Sequence, residues 1–385
     1  MKRNSSRRNF LAAGLALPVA ASATRSGDAS AAAPPLAETG LRYRTLGSTG
    51  LKVTSVGFGC MITSDASVIQ RAADLGINYF DTARGYQGGN NERMVGAALK
   101  GKRQNVVLSS KTHAASREAA LADLDTSLRE LGTDYLDIWY LHGKTSPEQV
   151  TPELLEAQQA AKKAGKIRFA GVSTHGGQPR LMPALAATPQ VDVILTSYNF
   201  TMDPGMDDLL AAAARAGKGV VAMKVMAGGF RRVKPSDKLY QTFKKEGAML
   251  AALKWVLRNP HVHTTIPSMT DMDQLDDNWK AMAARFTADD EGLLAKQTRY
   301  IAPLYCRMCG ECADACPQGL PVADMLRFLT YAEGYGQFAL GREHFRELPA
   351  RVARVRCGEC PTCPVTCPFG VKVAERLARA QELFA

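Results

Sequence analysis

The chain has 385 residues, 46% of them apolar and 22% charged, the make-up of an ordinary globular protein long enough for a large core. Its net charge of +11, from 48 basic and 37 acidic residues, lies partly in Lys2, Arg3, Arg7, Arg8 and Arg25 and is otherwise scattered along helical stretches. No basic stripe is interleaved with aromatics, which excludes a nucleic-acid binder; the short run Arg346, Arg351, Arg354 and Arg356 reads as a solvated face or as a dock for an acidic redox partner. The length suits one large domain with additions, or two to three domains.

Residues 1–35 read as a signal and spacer. Ser6-Arg7-Arg8-Asn9-Phe10-Leu11 resembles the twin-arginine export signal, although Ala12 stands where a lysine is frequent. The apolar run from Leu11 to Ala23 is too short to span a membrane permanently, and Ala21-Ser22-Ala23 offers a small-x-small cleavage site. The expectation is an exported, periplasmic protein, carried already folded. No later stretch is long and apolar enough for a transmembrane helix.

From residue 41 to 299, short apolar runs alternate with amphipathic helical ones. Arg42 to Leu46 and Leu51 to Thr54 form a hairpin pattern around Gly47-Ser-Thr-Gly50. Eight strand candidates follow: Ser55–Cys60, Asn78–Thr82, Val106–Lys111, Tyr135–His142, Ile167–Ser173, Val191–Tyr198, Val220–Val225 and Thr264–Pro267. Helical patterns separate them, as in Ser116 to Leu131, where Leu121, Leu124, Leu128 and Leu131 recur at helical spacing and Gly132 marks the stop. Repeated strand–helix units predict a parallel α/β sheet, and eight of them a closed (β/α)8 TIM barrel. An open doubly wound sheet is the alternative, but Gly57-Phe-Gly59 is followed by Cys60-Met61-Ile62 and not by a Gly-rich phosphate loop.

Barrel chemistry sits where strands end, at the carboxyl face. The second strand closes on Asp81, in Phe-Asp-Thr-Ala-Arg-Gly-Tyr86; the third on Lys111; the fourth on His142. A strand-end aspartate alone is commonly a helix cap and a single histidine commonly a satisfied core residue. Four such residues on three successive strands point to a site. On these residues, and on the spacing of Asp-Thr-Ala-x-x-Tyr and Leu-His, residues 41–299 resemble an aldo/keto reductase. The resemblance implies a catalytic tetrad of Asp81, Tyr86, Lys111 and His142. Lys111 would lower the Tyr86 pKa, Asp81 would hold Lys111 charged, and His142 would orient a substrate carbonyl. Hydride would come from a nicotinamide, NAD(P)H, while Tyr86 gives the proton.

The resemblance places the cofactor on Gly59, Cys60 and Met61 after the first strand, on Ser173 and Thr174, near Lys224, and at Ser268, Gln274 and Asn278. Several positions depart from the family. Thr174 replaces an asparagine that holds the carboxamide, and the stacking tyrosine around Met223-Lys224 is missing. Ser268 and Gln274 stand where a lysine and an arginine grip the 2′-phosphate, so two charge-assisted contacts are lost. Use of NADP, of NAD, or of no nicotinamide all remain open at this stage.

The tail, residues 300–385, carries eight of the nine cysteines. Cys306, Cys309, Cys312 and Cys316-Pro317 are answered by Cys357, Cys360, Cys363 and Cys367-Pro368. Both runs read C-x-x-C-x-x-C-x-x-x-C-P, the ligand spacing of 4Fe–4S clusters, and two runs suit two clusters. Zinc knuckles show paired C-x-x-C without a third thiol two residues on; disulfides depend on compartment. Val322, Met325, Leu326 and Leu329 recur at helical spacing between the runs, so the tail resembles a mainly α-helical ferredoxin-like iron–sulfur domain. Which fourth cysteine closes which cluster is open. The whole implies an iron–sulfur oxidoreductase of a small carbonyl or alcohol, served by a redox partner protein. The alternative is an electron-transfer or binding protein whose barrel no longer uses a nicotinamide.

Overall fold

A computed structural model describes residues 40–228, 247–357 and 360–385. The expected signal and spacer, 1–35, lie outside the described residues. The hairpin is present: β1 (Tyr43–Thr45) pairs antiparallel with β2 (Lys52–Thr54), Arg44 opposite Val53. Its turn approaches the ninth strand so closely that a Cβ on Gly47 would lie 2.4 Å from the Gly219 nitrogen; with a φ of 51°, only glycine fits there without strain.

Eight strands then form one parallel sheet in sequence order: β3 (Phe58–Gly59), β4 (Tyr79–Asp81), β5 (Val107–Thr112), β6 (Leu136–Leu141), β7 (Ile167–Thr174), β8 (Val193–Ser197), β9 (Gly219–Met223) and β10 (Thr264–Thr265). A parallel bridge between Val56 and Thr265 joins the two ends, with Gly57 N donating to Thr265 O at 2.7 Å. The ring is therefore a (β/α)8 barrel, and the open-sheet alternative fails. Its inner layer is filled by Tyr79, Ile138, Tyr140, Val193 and Leu195 above a plug of Leu46, Leu51 and Val53 from the hairpin. The hairpin thus stoppers the amino end, which leaves the carboxyl end for chemistry.

Around the ring stand α1 (Ala66–Asp74), α2 (Asn90–Ala98), α3 (Arg117–Leu131), α4 (Pro152–Lys163), α5 (Gln178–Ala187), α6 (Gly205–Arg215) and α7 (Ala248–Leu257). They are followed by α8 (Met272–Ala281) and α9 (Ala288–Ile301). The third illustrates how sequence sets a boundary. Ser116 Oγ accepts from Ala119 N at 3.3 Å, capping the first turn, and Gly132 takes the left-handed conformation that ends the helix. Its apolar face, with Leu124, Leu128 and Leu131, joins the outer core against the strands.

The tail is helical, as its spacing predicts: α10 (Val322–Glu333), α11 (Phe338–Arg346), α12 (Ala350–Ala353) and α13 (Val373–Phe384). Val322, Met325, Leu326 and Leu329 pack with Phe345, Leu377 and Phe384 in a separate small core. Among the described residues no helix is long and apolar enough to cross a membrane.

Candidate active site

The register of three neighbouring strands assembles the four predicted polar residues. Asp81 is level with Ser109, and Lys111 stands two residues further along the same strand. His142 follows β6, its N–H donating to Thr112 O at 2.8 Å. Lys111 Nζ donates to Asp81 Oδ2 at 2.5 Å, to the Thr82 carbonyl at 2.7 Å and to Tyr86 Oη at 3.3 Å. Ser109 Oγ donates to the other Asp81 oxygen at 2.7 Å. Tyr86 opens a 3-10 turn, Tyr86–Gly89, and its ring meets that of His142 edge-on at 5.8 Å. All four tetrad residues are therefore brought together.

The electrostatics depart from expectation at one point. Burial, with Asp81 adding to it, pushes the Tyr86 phenol well above its ordinary value; it does not fall under the influence of Lys111. The desolvation cost of a phenolate exceeds the pull of an ammonium that is already shared among three acceptors. Tyr86 is thus held protonated and able to give a proton. Burial also drives Lys111 down and Asp81 up, while their mutual contact opposes both shifts. His142 is pushed well below its ordinary value by burial, then by His113, whose ring stacks on it at 3.9 Å. It is a neutral imidazole whose Nδ1 is buried without a hydrogen-bond partner among the described residues.

The residues expected around a nicotinamide meet a different fate. Gly59 passes so near the eighth strand segment that a Cβ would sit 2.4 Å from Ile266 O. Cys60 is fully buried and burial raises its thiol, so it is an inert packing residue. Ser173 Oγ accepts from Gly143 N at 2.9 Å, and Thr174 turns into its own loop, donating to Gly176 O at 2.6 Å. Gln274 is folded against Thr270, with Nε2 donating to Oγ1 at 3.0 Å; Ser268 is half-buried and Asn278 buried. Met61 packs against the core of the tail. Lys224 lies under the rings of Tyr331 and Tyr335, at 4.8 and 5.3 Å.

Tyr331, Tyr335 and Arg327 were invisible to the sequence reading as site residues. Arg327 and Tyr331 stand one turn apart on α10, offset from the Val322–Leu329 stripe, and Tyr335 lies just beyond the helix end. The helical tail in fact covers the barrel mouth: Asn199 Nδ2 donates to Tyr305 Oη at 3.2 Å, and Gly176 faces the Met308 carbonyl.

The tail's thiols fall into two groups. Cys306, Cys309 and Cys312 line one hollow together with Cys367. Cys316 lies near Cys357, Cys360 and Cys363, close enough for their charges to interact. Each three-cysteine loop thus has the Cys-Pro cysteine of the other run beside it. None of the nine thiols is in a disulfide. Burial pushes Cys306 up to about 12, and the neighbouring thiols add to the shift. Gathered thiols of this kind become thiolates together only when a cation compensates them. Among the described residues no three Cys, His, Asp or Glu stand as close as ligands of one ion require.

Comparison with known proteins agrees with the barrel. The model of the aldo/keto reductase family matches residues 62–296. An uncharacterized oxidoreductase of Bacillus subtilis (strain 168), YqkF, is 27% identical over 296 residues, 65% of this chain and 94% of the relative. L-galactose dehydrogenase of Arabidopsis thaliana is 29% identical over 286 residues, 63% of this chain and 89% of its own. Among solved structures, aldo-keto reductase AKR11C1 from Bacillus halodurans in its holo form superposes with a TM-score of 0.57 at 27% identity, covering 66% of this chain and 96% of that one. An aldo-keto reductase from Klebsiella pneumoniae in complex with NADPH gives 0.53 at 27% identity, covering 66% and 94%. The family match ends before Cys306, so it speaks for the barrel alone. With the family model spanning more than half its length, the chain belongs to the aldo/keto reductase family, whose members are oxidoreductases.

Proposed function

We propose that this oxidoreductase interconverts a small carbonyl compound and its alcohol, with Tyr86 as the acid/base and two C-terminal 4Fe–4S clusters as the electron route. The observation that carries the reading is the hydrogen-bonded Asp81–Lys111–Tyr86 chain beside His142, on the same compact unit as two groups of four thiols. A cubane presents four separated irons to its thiolates, so its ligands stand wider apart than those around one zinc ion. The hollow among Cys306, Cys309, Cys312 and Cys367 fits that requirement. When bound, such clusters pass electrons one at a time, whereas reduction of a carbonyl takes a hydride at carbon, which a nicotinamide would supply, and a proton at oxygen. Tyr86 supplies one proton to the oxygen, and neutral His142 holds that oxygen in place. A protein redox partner would exchange electrons with the tail, and residues 1–35 would direct export by the twin-arginine route.

A second reading, in which no nicotinamide enters the barrel, is favoured by Tyr331 and Tyr335 over Lys224 and by Met61 packed on the tail. Tyr86→Phe separates the site from the clusters. Turnover should fall by roughly 10²–10⁴-fold, the range for a lost acid/base, with the visible cluster absorption unchanged. Unaltered turnover sinks the assignment of Tyr86. Anaerobic titration with NADH and NADPH, following fluorescence and cluster bleaching, decides between the readings: binding of either supports nicotinamide chemistry, and binding of neither supports the second.

A further inference from the structure

The segment that carries Tyr86 is tied down from outside the barrel, by residues the tetrad does not include. After β4 the chain continues for a few residues along β5: Thr82 N donates to Ser109 O and Arg84 N to Lys111 O, each at 3.0 Å. Arg84 makes the last of these ladder bonds, and Tyr86 lies two residues past it. The chain then turns through three left-handed residues, Gln87, Gly88 and Gly89, with φ of 53°, 60° and 87°. That conformation is strained for a glutamine, and Gln87 is held in it by its amide, which donates to the Thr63 carbonyl at 2.8 Å. Lys111 Nζ reaches Tyr86 Oη only at 3.3 Å, so the tetrad's own contact fixes the phenol loosely.

Successive side chains of β5 face opposite sides of the sheet. Ser109 and Lys111 point inward and grip Asp81, at 2.7 and 2.5 Å. Ser110 points outward, and its Oγ donates to Glu92 Oε1 at 2.5 Å. The other oxygen of Glu92 pairs with the Arg84 guanidinium. Glu92, in α2, is fully buried, and the Arg84 side chain is 18% exposed. A Cβ on Gly89 would fall 2.0 Å from Arg84 Nη2, so the glycine leaves the room that the guanidinium needs. Beside Glu92, buried Asn91 accepts from Thr82 Oγ1 at 2.6 Å and donates to the Cys60 carbonyl at 2.8 Å. Two buried carboxylates therefore hold β5, Asp81 on its inner face and Glu92 on its outer face, and both tie it to the chain that bears Tyr86.

A buried ion pair is a poor device for stability alone, because desolvation of both charges offsets their attraction and an apolar pair of similar size often serves the fold as well. Placement is another matter, since a reacting group displaced by about 1 Å can lose roughly 100-fold in rate. We infer that Glu92 and Arg84 are positioning residues for Tyr86: the Ser110–Glu92–Arg84 chain locks the loop after β4 to the outer face of β5 and so sets the phenol beside Lys111 and His142. The inference deepens the reading of Tyr86 as the acid/base and rests on it for the catalytic consequence alone; the placement of the phenol does not.

The test uses the full-length, cluster-loaded protein with 3-fluorotyrosine at position 86, its phenol followed by fluorine NMR as the pH is raised. Arg84→Met combined with Glu92→Leu removes the pair without stranding either charge, so the melting temperature should move by no more than about 4 °C. In that double variant the ionisation constant of the phenol should rise at least ~10-fold, because a loosened loop admits the water that burial now excludes. Arg84 meets Glu92 through one nitrogen, so Arg84→Lys, which keeps the charge pair, should hold the constant near that of the unaltered protein. An unchanged constant in the double variant, with amide exchange quickened in α2 alone, would assign the pair to helix packing and overturn the inference. A double variant that melts far lower, or a rise in Arg84→Lys equal to that of the double variant, would overturn it too. Turnover that survives the displaced phenol would strike Tyr86 as the acid/base and leave its positioning by Glu92 and Arg84 standing.

Discussion

The barrel and the helical tail hold their functional side chains by different means. In the barrel, Asp81, Lys111 and His142 sit on neighbouring strands whose backbone ladder fixes their spacing, above a continuous core from Val56 to Met282. Their geometry would persist with nothing bound. In the tail, the eight thiols lie on connecting segments, and the core beneath them is small, with Leu326, Leu329, Leu377 and Phe384 at its centre. Only a few contacts position those loops, such as Gln381 Oε1 accepting from Cys357 N at 2.9 Å and Met308 N donating to Cys306 Sγ at 3.4 Å. A barrel preorganises its site through its fold. A thiol loop is organised in large part by what it binds, because binding energy is then folding energy.

The contrast can be broken most sharply at the thiols. On the proposed two-cluster reading, Cys367→Ser should remove the cluster proposed to sit among Cys306, Cys309 and Cys312, lowering bound iron by roughly half and leaving the group around Cys357 loaded. Amide exchange should then quicken in α10 and α13 and stay slow in β4–β6. Retention of all the iron, or loss of the cluster at Cys357 instead, would show that the fourth cysteines are not exchanged between runs. In the barrel the largest effect is expected from Lys111→Met. It leaves Asp81, 2% exposed, with an uncompensated buried charge, and a broken buried pair of this kind costs about 3–5 kcal/mol. The strand framework should nonetheless remain, so denaturant unfolding should show a lower midpoint with an unchanged slope. At the seam between the two regions, Gly334→Ala should cost about 1–3 kcal/mol, the usual penalty of overpacking. A Cβ there would fall 1.9 Å from the Gly228 carbonyl, a backbone atom that cannot swing aside. Faster exchange in α10 without change in the barrel strands is the expected signature.

Much of the barrel site was legible because three successive strands end at residues whose type is costly to bury without purpose. Asp81, Lys111 and His142 could be found by reading the last residue of three apolar runs, and the period of the helices confirmed the runs themselves. The thiol spacing was legible for the same reason, since nothing structural demands three cysteines two residues apart. What stayed hidden depends on how distant segments meet. The exchange of Cys316 and Cys367 between loops, and the descent of Arg327, Tyr331 and Tyr335 onto Lys224, are tertiary contacts over long stretches of chain. The lowering of the Tyr86 pKa was inferred from a neighbour's charge alone. Sequence shows that Lys111 is near but not that Tyr86 is desolvated, and desolvation proved the larger effect.

The smallest effect expected distinguishes the regions by pH. His142 is held neutral in the folded barrel, its pKa lowered by burial, by stacked His113, and by Lys111, His175 and Arg327 around it. The unfolded chain binds a proton there once the pH falls through the ordinary histidine value of 6.5, while the folded chain does not. Stability from this residue is therefore complete above that value and is lost as the pH falls below it, by at most about 1.4 kcal/mol per pH unit for one proton. His113, lowered by burial to about 4, acts in the same direction between pH 6.5 and that value, though its exposure to solvent weakens the effect. His142→Asn should flatten the fall in barrel melting temperature between pH 7 and pH 5 relative to the unaltered protein. Acid sensitivity arising in the tail is common to both proteins and cancels in the comparison. A parallel pH dependence in the two would mean that His142 is open to water in the folded protein, and that the mouth is less closed by α10 than the packing of Tyr331 on Lys224 implies.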